Sequence, residues 1–123
     1  MKNIRNILIT GGTGSFGTAA LEFFLKKNSL RKIIIFSRDE LKQSEMRKKF
    51  KSEKIRYFIG DVRDYKRILI ATKNVDLIIH AAALKQVDTA EYNPTEFIQT
   101  NIMGAQNIIE ACSQNNIIKV IAL

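Results

Sequence analysis

The sequence predicts an α/β domain, a doubly wound parallel sheet with helices on both faces. Three observations predict it. Short apolar runs alternate with segments of helical periodicity along all 123 residues, an order that requires parallel strands joined by right-handed crossovers. The runs are rich in β-branched residues and, as in Ile33-Ile34-Ile35-Phe36, continuously apolar, which suits strands covered on both faces. The first run stops at a cluster of glycines, where a strand must turn sharply into a helix.

Each element can be justified in turn. Ile4, Ile7, Leu8 and Ile9 form the first strand, which ends at Gly11-Gly12. Ala19, Ala20, Leu21, Phe23, Phe24 and Leu25 then cover one broad face of a helix running to about Asn28-Ser29. The second strand is Ile33 to Phe36. A polar helix follows from about Asp39 to Ser52, with Leu41, Met46 and Phe50 expected inward, and Ser37 with Glu40 matching a capping box. Ile55 to Ile59 is a third strand, and Asp64 to Thr72 a short helix with Ile68 and Leu69 inward. Val75 to Ile79 is the fourth strand. Asn93-Pro94-Thr95-Glu96 opens a long helix, Asn93 as cap and Pro94 at the first helical position. Ile98, Ile102, Ala105, Ile109 and Cys112 form its apolar stripe, and a fifth strand runs from Ile117 to Leu123. A buried-type strand that stops at the chain end leaves backbone groups unpaired. The expectation is therefore an incomplete domain over 1–123, truncated before its remaining strands and a substrate domain.

Composition narrows the function classes. With 46% hydrophobic and 26% charged residues the chain falls in the soluble globular range. No apolar run approaches the ~20 residues that cross a bilayer, and the N-terminus lacks the apolar core of a signal peptide; a cytoplasmic protein without a membrane partner is expected. A lone cysteine, Cys112, gives no internal disulfide and no metal site. The formal charge of +8, clustered at Lys26–Lys32, Lys42–Lys54 and Arg63–Arg67, leaves three readings open: nucleic acid, an anionic cofactor and substrate, or a solvated face. Only Phe50 and Tyr65 fall within these clusters, which makes no row of base-stacking platforms, so no nucleic-acid partner is expected.

The chemistry lies in the loops after the strands. Gly11-Gly12-Thr13-Gly14-Ser15-Phe16-Gly17 follows a strand and opens a helix. It fits the dinucleotide-binding fingerprint through Gly12, Gly14 and Gly17, and a wider-spaced form through Gly11, Gly14 and Gly17. Glycines bring main-chain amides against a diphosphate, and the helix start adds partial positive charge. A Rossmann-type sheet follows, with strand order 3-2-1-4-5. About 20 positions beyond the glycines, an acidic residue would select NAD. Ser37 and Arg38 stand there, with Lys42 one helical turn on, a set that suits a 2′-phosphate and favours NADP; Asp39 and Glu40 keep NAD open. Asp61-Val62 should lie over the adenine, where a carboxylate accepts its amine. Ala81-Ala82-Ala83 should let the cofactor approach the fourth strand, and Lys85 beyond them contacts cofactor or substrate or is an exposed loop residue. His80, alone at the end of a buried strand, reads as packed and satisfied, as does Cys112.

The whole pattern resembles a known family. Ile9 to Gly17, Ser37-Arg38-Asp39-Glu40-Leu41-Lys42-Gln43, Gly60-Asp61-Val62-Arg63-Asp64, His80 to Val87, Glu91-Tyr92-Asn93-Pro94 and Thr100 to Ala105 together resemble the UDP-N-acetylglucosamine 4,6-dehydratases of the extended short-chain dehydrogenase/reductase superfamily. The resemblance implies a lyase in which NADP takes a hydride from sugar C4, water leaves across C5 and C6, and the hydride returns to C6. In the inverting branch C5 also changes configuration, towards pseudaminic acid or other surface glycans. It implies cofactor contacts at Thr13, Gly14, Ser15, Phe16, Ser37, Arg38, Asp39, Lys42, Asp61, Val62, Ala81 and Lys85, a supporting role for Asn101, UDP-N-acetylglucosamine as substrate and a homo-oligomer. One departure matters. The family's catalytic Tyr-x-x-x-Lys lies beyond the fifth strand, and Tyr57, Tyr65 and Tyr92 have no lysine four residues on. This stretch alone is expected to be inactive, since proton transfer needs a positioned donor. The alternative is a non-catalytic module that senses NADP or binds a partner.

Overall fold

The structure, a computed structural model, describes residues 3–81 and 94–122, with the backbone only over 94–100. Its elements are β1 (Asn6–Thr10), α1 (Ser15–Leu25), β2 (Lys32–Ser37), α2 (Glu40–Lys49), β3 (Ile55–Ile59), α3 (Tyr65–Ala71), β4 (Leu77–His80), α4 (Pro94–Asn115) and β5 (Lys119–Ala122). The five strands form one parallel sheet in the order β3-β2-β1-β4-β5. The expected fold class and strand order both hold. No helix among the described residues is long and apolar enough to cross a membrane.

Two cores hold the layers together because side chains alternate across a strand. Ile7, Ile9, Ile33, Ile35, Leu77 and Ile79 meet Ala20 and Leu21 of α1 and Met46 of α2 on one face. Leu8, Ile34, Phe36 and Ile78 meet Ile68 and Ala71 of α3 and Ile108 and Ala111 of α4 on the other. Each fully buried isoleucine contributes about 2 kcal/mol by leaving water. Continuous apolar runs were therefore a sound sign of two-sided burial.

The helix faces required correction. In α1, Ala19 and Phe23 are exposed, and the inward side is Gly17, Ala20 and Leu21. In α2, Leu41 is 69% exposed while Gln43 is buried beside Met46; Phe50 lies one residue past the helix and packs partly against the core. In α4 the buried set is Gly104, Ile108 and Ala111, whereas Ile102 and Ile109 are exposed. The stripe therefore sits about one residue from its expected register. A helix rich in apolar residues all round carries more than one plausible stripe, and contact with α3 selects one. Residues 75–76 precede β4: Val75 is buried in a turn after Asn74, whose φ is 62°. The expected buried-type fifth strand is an edge whose Lys119, Ile121 and Ala122 are exposed.

Candidate functional site

Parallel register brings the carboxyl ends of the strands together. Thr10 pairs with Phe36 on one side and His80 on the other, and Ser37 pairs with Ile59. This edge is where open α/β sheets bind ligands. Gly11, at φ 65°, turns the chain out of β1 in a conformation that side chains resist. Its amide donates to the Phe36 carbonyl at 2.9 Å, which ties the turn to β2.

The glycines of the turn divide by what a side chain would meet. A Cβ on Gly12 would lie 2.8 Å from Ile35, and one on Gly17 only 2.3 Å from the Gly12 carbonyl oxygen. Those two are required by packing. A Cβ on Gly14 would meet only the Gly11 carbonyl oxygen, at an ordinary 3.5 Å. The fold does not demand a glycine there. Gly14 is also the N-cap of α1, which makes no side-chain capping bond and has no acidic residue in its first turn. The first amides of a helix have no intrahelical partner. Here they emerge with Gly14, Ser15 and Phe16 at an exposed surface, an arrangement suited to a diphosphate. Thr13 lines a hollow of about 240 Å³ with Thr18, Lys42, Glu45 and Met46 between α1 and α2.

At the end of β2 the capping expectation is corrected. Asp39, not Ser37, caps α2, its Oδ1 accepting from the Lys42 amide at 2.9 Å. Ser37 is buried, and its Oγ accepts from Gln43 Nε2 at 2.9 Å. Arg38 is exposed, with its guanidinium 3.8 Å from Asp61 Oδ2. Asp61 is held far more firmly by Arg63, whose Nη2 donates to Oδ2 at 2.7 Å and whose main-chain amide donates to Oδ1 at 2.9 Å. The Arg63 hydrogen bonds hold the Asp61 carboxyl below its ordinary value. An exposed pair as long as Arg38–Asp61 is worth little, so Arg38 can turn to a ligand at small cost. Val62 is buried against the α4 backbone: a Cβ on Gly104 would lie 2.8 Å from it, and its carbonyl accepts from Asn107 Nδ2 at 2.8 Å.

His80 is buried, with Nδ1 2.8 Å from Thr10 Oγ1, and burial lowers its pKa. The packed reading holds. Thr10 Oγ1 also accepts from the Ala81 amide at 3.0 Å, so Ala81 is fixed at the edge of the site. Ala82, Ala83, Lys85, Tyr92 and Asn93 lie outside the described residues. Burial also raises the Cys112 pKa, in keeping with a packed thiol. A second cavity, of about 480 Å³, lies at the opposite end of the sheet among Asn6, Arg31, Asn74 and Asp76. It adjoins the amino ends of the strands, away from the glycine turn. Sequence reasoning missed Thr10, Gln43 and Asn107 because each acts through a partner distant in sequence, the first two buried and Asn107 half-buried, which no single-residue pattern reveals.

The profile of a family described as polysaccharide biosynthesis protein matches residues 7–123. This chain belongs to that family. It is 58% identical over its whole length to a UDP-N-acetylglucosamine 4,6-dehydratase (inverting) of Campylobacter jejuni, covering 37% of that protein. It is 51% identical over 122 residues to a UDP-glucose 4-epimerase of Rickettsia akari, covering 97% of the chain and 36% of the relative. Among solved structures, Pen from Bacillus thuringiensis superposes with a TM-score of 0.89 at 40% identity, over 98% of this chain and 37% of that one. The family member described here thus spans a little over a third of the length of these relatives.

Proposed function

We propose that this chain is the NADP-binding portion of a nucleotide-sugar 4,6-dehydratase, a lyase that acts on UDP-N-acetylglucosamine in surface-polysaccharide biosynthesis in the cytoplasm, as a homo-oligomer. The observation that carries the cofactor reading is the start of α1, where uncapped amides follow a glycine, Gly14, that the fold itself does not need. The relatives' names supply the substrate class. Both the dehydratase and the epimerase act on a UDP-sugar at position 4.

Each residue then has a task. Gly11, Gly12 and Gly17 shape the turn, the Gly14 amide closes it on the Gly11 carbonyl at 3.2 Å, and the amides of Thr13 and of Ser15 to Gly17 hold the diphosphate. Ser37, Arg38 and Lys42 surround the adenosine ribose and bind its 2′-phosphate, Arg38 through charge-assisted bonds. Asp39, a carboxylate that could otherwise serve a free ribose hydroxyl, has one oxygen committed to the α2 cap. Asp61 and Val62 border the adenine. A carboxylate has about four acceptor sites, so Asp61 retains capacity for the adenine amine beside Arg63. Ala81 and Ala82 let the cofactor cross β4 closely, and Lys85 lies beyond them. When bound, the nicotinamide supplies a hydride acceptor and donor. The remainder of a longer protein would supply the proton-transfer residues.

Two measurements test this. The full chain should bind NADPH more tightly than NADH, and Arg38→Ala should weaken NADPH by roughly 1–3 kcal/mol; equal affinities before and after the change would refute the cofactor reading. Proton NMR of UDP-N-acetylglucosamine with the full-length enzyme should show a new C6 methyl signal. Inversion at C4 with no methyl signal would make it an epimerase.

A further inference from the structure

Gln43 is only 3% exposed on the inward face of α2, where helical periodicity would place an apolar side chain. Its Nε2 lies 2.9 Å from Ser37 Oγ, 3.1 Å from the Phe58 carbonyl oxygen and 3.4 Å from the Ser37 carbonyl oxygen. Two of these three neighbours can only accept, so the group that faces them is the NH2 end of the amide. That group has two hydrogens. The two shorter contacts assign one to Phe58 and the other to Ser37 Oγ.

The second assignment changes what Ser37 can do. A hydroxyl has one proton and two lone pairs. With a lone pair engaged by Gln43, the proton remains to be donated elsewhere, and among the described residues Ser37 Oγ has no other hydrogen-bond partner. Ser37 is 7% exposed, and a buried donor left unmatched is costly.

We infer that Gln43 is a positioning residue for cofactor choice, fixing the Ser37 hydroxyl as a donor toward the 2′-phosphate of NADP. The inference rests on the proposed NADP site. A phosphate accepts only, so a hydroxyl donor beside Arg38 and Lys42 matches it fully. A ribose hydroxyl has a proton of its own to place, and these three side chains offer it chiefly donors, with Asp39 Oδ1 already committed to the Lys42 amide. Gln43 thus acts without touching the cofactor.

The test is calorimetric titration of NADPH and NADH against the full chain and its variants. Ser37→Ala should weaken NADPH about tenfold, the loss expected for a hydrogen bond to a charged group, and leave NADH nearly unchanged. Gln43→Met, close in shape but without a donor, should lower the NADPH-to-NADH preference about fivefold, and should have no further effect on it in the Ser37→Ala background. Gln43→Asn, which withdraws the amide by one methylene, should lower the preference too, and serves if the methionine variant does not fold. A Gln43 change that weakens both cofactors equally, or neither, overturns the positioning role while Ser37→Ala still reports on the site. If Ser37→Ala leaves the preference intact, the underlying NADP reading fails at that residue.

Discussion

The starts of α1 and of its two successors, α2 and α3, solve the same problem in opposite ways. Asp39 and Asp64 cap α2 and α3 through their side chains, accepting from Lys42 and Arg67 amides at 2.9 and 3.2 Å. Helix α1 begins at Gly14 with no side-chain cap and no acidic residue in its first turn. A glycine at the N-cap is worth a few tenths of a kcal/mol less than an aspartate, so α1 forgoes a little stability that its neighbours have. Two helices are closed by side chains of the chain itself, and the third keeps its first amides open, as the proposed diphosphate site requires.

The comparison can be broken at several points. The largest effect is expected at Gly17, where a Cβ would lie 2.3 Å from the Gly12 carbonyl oxygen. Gly17→Ala should lower stability by about 3 kcal/mol, read from the denaturant midpoint, and abolish cofactor binding with it. Gly14→Asp should separate those two properties. It gives α1 the cap of its siblings, and a Cβ there meets only an ordinary contact. The unliganded protein should gain roughly 0.5–1 kcal/mol while NADPH affinity falls at least about tenfold through repulsion of the diphosphate. A Gly14→Asp protein that binds NADPH normally would remove the amides of α1 from the site.

Asp64→Ala, away from the turn, should cost about 1 kcal/mol and leave the NADPH-to-NADH ratio unchanged in titrations. The smallest effects concern pH. Arg63 lowers the folded pKa of Asp61 below 3.8, so its contribution is present above that value and lost as pH falls through the lowered one. Asp61→Asn should therefore narrow the difference in melting temperature across that range. Burial lowers His80 below 6.5. The unfolded chain binds its proton first, so stability falls as pH drops below that value, and His80→Gln should flatten the slope.

Much of this was legible beforehand. The alternation of runs such as Ile33 to Phe36 with helical segments determined a parallel sheet, because β-branched apolar stretches of that length are stable only when covered on both faces. The spacing of Gly11, Gly14 and Gly17 marked the turn, because few sequences tolerate such backbone freedom without a use for it. The faces of α1, α2 and α4 were less legible: Phe23, Leu41, Ile102 and Ile109 are apolar yet exposed, and hydrophobicity alone does not rank competing stripes.

The sequence by itself therefore determined the order of the elements, the position of the glycine turn and the residue types at the end of β2. All are properties of the chain read locally. Only the tertiary structure decided that Gly14, unlike Gly12 and Gly17, is not required by packing, that Asp39 rather than Ser37 caps α2, and that Gln43 reaches both Ser37 and Phe58. Those facts depend on atoms brought within a few ångströms by parallel pairing of β1, β2 and β3, a proximity that periodicity along one strand or helix does not encode.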